Sequence, residues 1–167
     1  MLQFLKASIT LLLALGINFS AYAEDFAPYG TAKVDMTDYP VINTVFDVNY
    51  EDPKDLKALY GFIKNTKKPL KGEVVAVTHG PELRAFAKEN YEHYQGEVQL
   101  MAELAEEGVE FRMCLNALRA AGYEAEDMHD FVTVVPAGFA EIARLQHEGY
   151  QLMTPLPYPV RNVRYAD

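Results

Sequence analysis

The only cysteine, Cys114, follows the apolar-rich run Val109-Glu110-Phe111-Arg112-Met113 and precedes Leu115, Leu118 and Arg119, which suit a helix. A thiol at a strand-to-helix junction meets unpaired backbone N–H groups and a helix dipole, both of which favour negative charge. The thiolate is the nucleophilic form of cysteine, so such a group can attack a sulfur donor and hold a persulfide. Free cysteine is also commonly a buried small hydrophobe, and a space-filling Cys114 fits the same position. His79 ends the Val-rich run Val74-Val75-Ala76-Val77-Thr78 and is the histidine best placed to stabilise a thiolate or accept its proton. His93, His129 and His147 lie in polar surroundings and read as solvated. There is no CxxC, no HExxH and no close histidine pair, so no metal ligand set is assigned. Glycine-rich nucleotide fingerprints and GxSxG are also missing, and no cofactor is expected.

These residues need a scaffold, and the sequence pattern supplies one. A β-branched and aromatic stretch from Val41 to Tyr50 reads as a strand. Asp52 as N-cap and Pro53 at the first helical position then open a helix through Leu56, Leu59, Tyr60 and Ile63 to about Asn65, followed by a turn at Thr66 to Pro69. Glu73 to Gly80 is a second strand, apolar on both faces as a central parallel strand should be. Pro81-Glu82-Leu83 starts a helix that buries Leu83, Phe86 and Ala87, and the stretch from Glu89 to Gly96 breaks it. Glu97 to Glu107 forms the next helix, with Val98, Met101, Leu104 and Ala105 on one face and glutamates on a solvated one. Gly108 stops it, Val109 to Met113 is the third strand, and Gly122 ends the helix after Cys114. Phe131 to Val135 is a fourth strand. After the turn Pro136-Ala137-Gly138, a last helix carries Phe139, Ile142, Ala143 and Leu145, and Gly149 leads to a short strand at Tyr150 to Thr154.

Strands alternating with helices through short connections specify an α/β fold, a three-layer α/β/α sandwich with a mostly parallel sheet. Ligands in such sheets gather at the C-terminal ends of the strands. Cys114 and His79 fall on that edge as the catalytic candidates, and Asn49, Gly80, Asn116 and Gly138 as the ligand-binding ones. Tyr91, Tyr94 and Phe86 form an aromatic group better explained by packing than by ligand binding.

Residues 1–23 carry Lys6, an apolar run from Ile9 to Ile17 and Ala21-Tyr22-Ala23, the pattern of an export signal cleaved before Glu24. Residues 24–40 read as an extended lead-in, 41–154 as one domain and the proline-rich 155–167 as a tail. The protein is therefore expected in the periplasm or secreted, with no membrane association after cleavage. A net charge of −9 leaves no electrostatic footprint for nucleic acid. One cysteine cannot make an internal disulfide, so the fold rests on its core.

Three fragments occur in a telling order: Val74 to Gly80, then Gly108 to Cys114, then Val135-Pro136-Ala137-Gly138 leading to Leu145-Gln146-His147-Glu148-Gly149-Tyr150. Over roughly Val41 to Pro155 the chain resembles the DsrE/DsrF-like family, especially its small exported members. The resemblance implies a compact three-layer, DsrE/YchN-like α/β fold and assembly into homo-oligomers, often trimers or hexamers. It also implies sulfur relay, in which a cysteine after a strand accepts and passes on persulfide sulfur; Cys114, with Gly122 ending its helix, matches that position. Relay subunits often carry basic residues before that glycine and act in the cytoplasm, whereas this chain has Ala120-Ala121-Gly122 and an export signal. The expectation is a periplasmic sulfur-handling protein, a sulfurtransferase-like persulfide carrier whose partner is a small sulfur compound or a sulfur-carrier protein. The alternative is a non-catalytic small-ligand-binding or homo-oligomeric assembly module in which Cys114 is structural.

Overall fold

A computed structural model describes residues 31–157, so the expected signal segment, the start of the lead-in and the end of the tail lie outside the described residues. The chain divides into two units, Met1–Thr37 and Asp38–Asp167. Residues 31–40 form neither helix nor strand. The domain that follows runs β1 (Ile42–Val48), α1 (Leu56–Leu70), β2 (Lys71–Thr78), α2 (Tyr91–Glu106), β3 (Val109–Cys114), α3 (Leu115–Ala120), β4 (Val132–Val135), α4 (Gly138–His147) and β5 (Gln151–Met153). Among the described residues no helix is long and apolar enough to cross a membrane.

The five strands form one sheet in the order β4-β3-β2-β1-β5, and every pairing is parallel. Topology decides the layers. From β1 to β4 the chain steps repeatedly toward one edge, and right-handed crossovers then put the connecting helices on one face. From β4 to β5 it returns to the opposite edge, which carries α4 to the other face. The two cores follow this division. Leu56, Leu59 and Ile63 of α1, Val98, Met101 and Leu104 of α2 and Leu118 of α3 pack with Phe46, Ala76, Phe111 and Met113. Ile142 and Leu145 of α4 pack with Val45, Val75 and Val77. Burying each such side chain contributes roughly 1.5–3 kcal/mol, and β2, apolar on both sides, is fixed by both cores at once. The α/β sandwich is thus as expected.

Three elements differ from the expectation. Helix α1 continues through the supposed turn to Leu70, with Pro69 in its last turn. Proline there forfeits one backbone donor, and the helix ends at Lys71, whose left-handed φ of 56° lets its N–H bond back to Lys67. The segment after Pro81 is not an α-helix but two short 3-10 turns, Pro81–Phe86 and Lys88–Asn90. Between them Ala87 is extended and bridges antiparallel to Met128, a long-range pairing that interrupts helical continuation. Helix α2 therefore begins at Tyr91, across the residues expected to break it, and the break survives only as non-helical Tyr94.

Two side-chain expectations are also corrected. Glu97 is buried rather than solvated and is reached by the ammonium of Lys57 at 2.8 Å. His129 is half-buried, stacked on Phe131 with Tyr91 at its edge, and burial lowers its pKa by disfavouring the cation. The remaining aromatic assignments hold, since Phe86 packs against both Phe111 and Phe131. At Gly122 a φ of 86° closes α3, with Gly122 N–H on Arg119 and Tyr123 N–H on Leu118.

Candidate functional site

Register brings the C-terminal edge together. Thr78 lies opposite Met113, and Asp47 lies opposite Val77, two residues before His79. Val109, Phe111 and Met113 enter the larger core, so strand alternation turns Glu110, Arg112 and Cys114 toward α4. Arg112 accordingly bonds both Glu110 and Glu141 of α4. Farther along the same face, Asp47 of β1, His79 just past the end of β2 and Cys114 at the end of β3 stand side by side.

Cys114 ends β3 and occupies the N-cap position of α3 with an extended backbone. Its side chain makes no capping bond, so the thiol is not consumed in holding the helix start. The residue is 8 % exposed. Gly138 opens α4 directly against it. A Cβ at that position would lie 3.2 Å from the Cβ of Cys114, 3.3 Å from that of His79 and 3.5 Å from Cγ1 of Val77. Glycine is what allows α4 to descend onto the strand ends, and it makes Cys114 and His79 neighbours across one small space.

His79 is held on two sides. Its Nε2 is 2.6 Å from Oδ1 of Asp47, and its ring centroid is 4.7 Å from that of Phe139, which is itself exposed. A neutral ring that donates from Nε2 to the carboxylate keeps Nδ1 as an acceptor.

Behind the histidine the turn is built around Glu82, which is fully buried. Its carboxylate accepts the N–H of Tyr50 at 2.8 Å and the N–H of Gly80 at 3.0 Å. Burial raises its pKa, partly offset by those backbone hydrogen bonds. At Gly80 space is the issue rather than φ: an added Cβ would sit 2.3 Å from Oδ1 of Asn49 and 2.4 Å from Oε2 of Glu82.

On the α3 side of this edge a cavity of about 370 Å³ is lined by Asn49, His79, Gly80, Arg84 and the alanines of α3. Of the expected site residues, Asn49, His79 and Gly80 therefore share the cavity wall, and Gly138 lies beside Cys114 and His79 with little room for a side chain. Cys114 is not among the lining residues, and Asn116 is exposed on α3 outside them. Asp47, Glu82 and Arg84 join the site without having been among the expected residues. Asp47 did leave a signal as the one charge inside Thr-Val-Phe-Asp-Val, whereas Glu82 looked like an ordinary first-turn acid. Among the described residues no group of three or more His, Cys, Asp or Glu side chains is arranged to hold a metal.

The model of the DsrE/DsrF-like family matches residues 51–155. The chain belongs to the DsrE/DsrF-like family. A solved protein of unknown function from Methanobacterium thermoautotrophicum is similar at 28 % identity and a TM-score of 0.59, covering 68 % of this chain and 99 % of that one. A conserved protein of unknown function from Bacteroides thetaiotaomicron shares the fold at 15 % identity and a TM-score of 0.51, covering 68 % and 94 %. No curated protein matches the chain.

Proposed function

We propose that this member of the DsrE/DsrF-like family is an exported sulfur-handling protein in which Cys114 accepts and carries persulfide sulfur. The family suggests a sulfur-relay-related role. The single observation that carries the finer reading is the juxtaposition of Cys114 with His79, itself anchored by Asp47, around Gly138. In the reaction the Cys114 thiolate attacks the outer sulfur of a donor persulfide, R–S–SH. The new S–S bond forms as the donor's S–S bond breaks. The outer sulfur stays on Cys114 as a persulfide, and the donor leaves as a thiolate that takes up the proton lost from Cys114, with no net oxidation. His79 holds that proton in transit, and Asp47 orients the ring as a positioning residue. A homo-oligomer, trimer or hexamer, acting in the periplasm on a small sulfur compound or a sulfur-carrier protein is part of this reading.

The burial of Cys114 supports a second reading, in which the thiol fills space under α4 and the edge holds a ligand or partner without chemistry. Incubating the folded protein with polysulfide or a persulfide donor, followed by peptide mass mapping, separates the two. A sulfur adduct on Cys114 supports the carrier; an unmodified Cys114 with every donor supports the structural thiol.

A further inference from the structure

Four arginines fall among the described residues, and three of them meet a carboxylate. Arg112 bonds Glu110 and Glu141, Arg144 bonds Glu141 and Glu148, and Arg119 lies 3.9 Å from Glu124. Arg84 has no carboxylate within 4 Å among the described residues, in a chain with nine more acidic than basic side chains. Its nearest acid in sequence, Glu82, is fully buried and spends its carboxylate on the N–H groups of Tyr50 and Gly80. The Arg84 side chain is nevertheless held: Nε donates to the Pro81 carbonyl at 3.1 Å, folding it back along its own turn. That bond uses one of five guanidinium donors and leaves the terminal amino groups for something else.

The cavity beside His79 is the place they serve. Among the described residues Arg84 is its only arginine or lysine, Asn49 adds an amide, and Ala117, Ala120 and Ala121 give an apolar wall. At about 370 Å³ the space lies in the range of small-molecule sites and is far larger than a bare inorganic oxyanion requires. We propose that this cavity binds a small organic anion, its carboxylate or sulfonate on Arg84 and its apolar part against Ala117, Ala120 and Ala121. A planar guanidinium matches either head group through paired hydrogen bonds. The Ala120-Ala121 pair, which departs from the basic residues of relay subunits, becomes the apolar half of a binding surface. Anion binding here does not require the thiol, because His79 lines the cavity but Cys114 does not.

The test is a titration of the full mature protein, methyl-labelled at alanine, with butyrate and propane-1-sulfonate, and with butyramide as the neutral isostere. The two anions shift the Ala117, Ala120 and Ala121 methyl resonances saturably, and butyramide binds at least roughly tenfold more weakly, as expected for losing a hydrogen bond to a charged group. Arg84→Gln weakens anion binding by a similar factor, Arg84→Lys restores part of it, and Cys114→Ser leaves it intact. The proposal is overturned if butyramide binds as well as butyrate, if Arg84→Gln binds the anions like the wild type, or if neither anion gives a saturable shift. Loss of sulfur uptake in Cys114→Ser with anion binding retained distinguishes this site from the carrier thiol.

Discussion

Replacing Gly80 by alanine strikes the turn that joins the histidine to its buried support. The added methyl would lie 2.3 Å from Asn49 Oδ1, 2.4 Å from Glu82 Oε2 and 3.0 Å from the Asn49 Cα. Asn49 is exposed, so its amide swings away at little cost. Glu82 has no such freedom. Moving its carboxylate breaks the bonds from Tyr50 and Gly80 N–H inside the fold, each worth roughly 1.5–3 kcal/mol where the acceptor is charged. Part of this is recovered by relaxation, so the net destabilisation should be about 3 kcal/mol, comparable to an overpacked core. With a urea m-value near 1.5 kcal/mol/M the unfolding midpoint should fall by about 2 M. Equilibrium urea unfolding followed by circular dichroism measures this directly. Adding Asn49→Ala to Gly80→Ala should recover little, because the conflict with Glu82 remains. A loss below about 0.5 kcal/mol, or full rescue by Asn49→Ala, would refute the claim that Glu82 is the rigid support of this turn.

Three further outcomes follow from the same geometry. Hydrogen bonds from Arg144 first, and from Arg112, hold the Glu141 pKa down at about 2, below its ordinary 4.5. Stability from this depressed group is present above the unfolded pKa and lost as pH falls through the folded one. The urea-midpoint difference between wild type and Glu141→Gln should therefore be full near pH 6, shrink as pH falls below 4.5 and vanish only below about pH 2. Asp47→Asn should slow sulfur uptake by Cys114 roughly tenfold or more and move the pH–rate profile while leaving the urea midpoint nearly unchanged, as stopped-flow kinetics with polysulfide would reveal. Among the described residues the buried Tyr50 hydroxyl has no hydrogen-bond partner, and burial together with Glu82 raises its pKa. Tyr50→Phe should hold or raise the thermal midpoint, and a clear drop would mean the hydroxyl has a stabilising partner.

Much of the scaffold was legible because its signals are local. The Val74 to Val77 run can be buried on two faces only as a central strand, and Gly122 sits where a left-handed residue must end α3. What the sequence hid depends on contacts distant along the chain. Pro69 reads as a helix breaker, but strand β2 begins right after Leu70, and the helix can run on to meet it. The residues after Pro81 have helical spacing, yet Ala87 is claimed by Met128. Glu97 shares a run with solvated glutamates and is distinguished only by Lys57 from another helix. The site divides in the same way. His79 and Cys114 were visible because a strand end announces itself, whereas Asp47 becomes relevant only once β1 and β2 are set in register, 32 residues apart in sequence.

The central claim, that Cys114 carries sulfur rather than fills space, is tested most directly by intact mass measurement through a load-and-discharge cycle. The folded protein is exposed to polysulfide, desalted, weighed, treated with excess small thiol and weighed again. A carrier thiol gives a gain of sulfur in the first spectrum, its removal in the second, and no gain in Cys114→Ser. A wild-type mass unchanged by polysulfide while the protein stays folded, or an equal gain in Cys114→Ser, would contradict it.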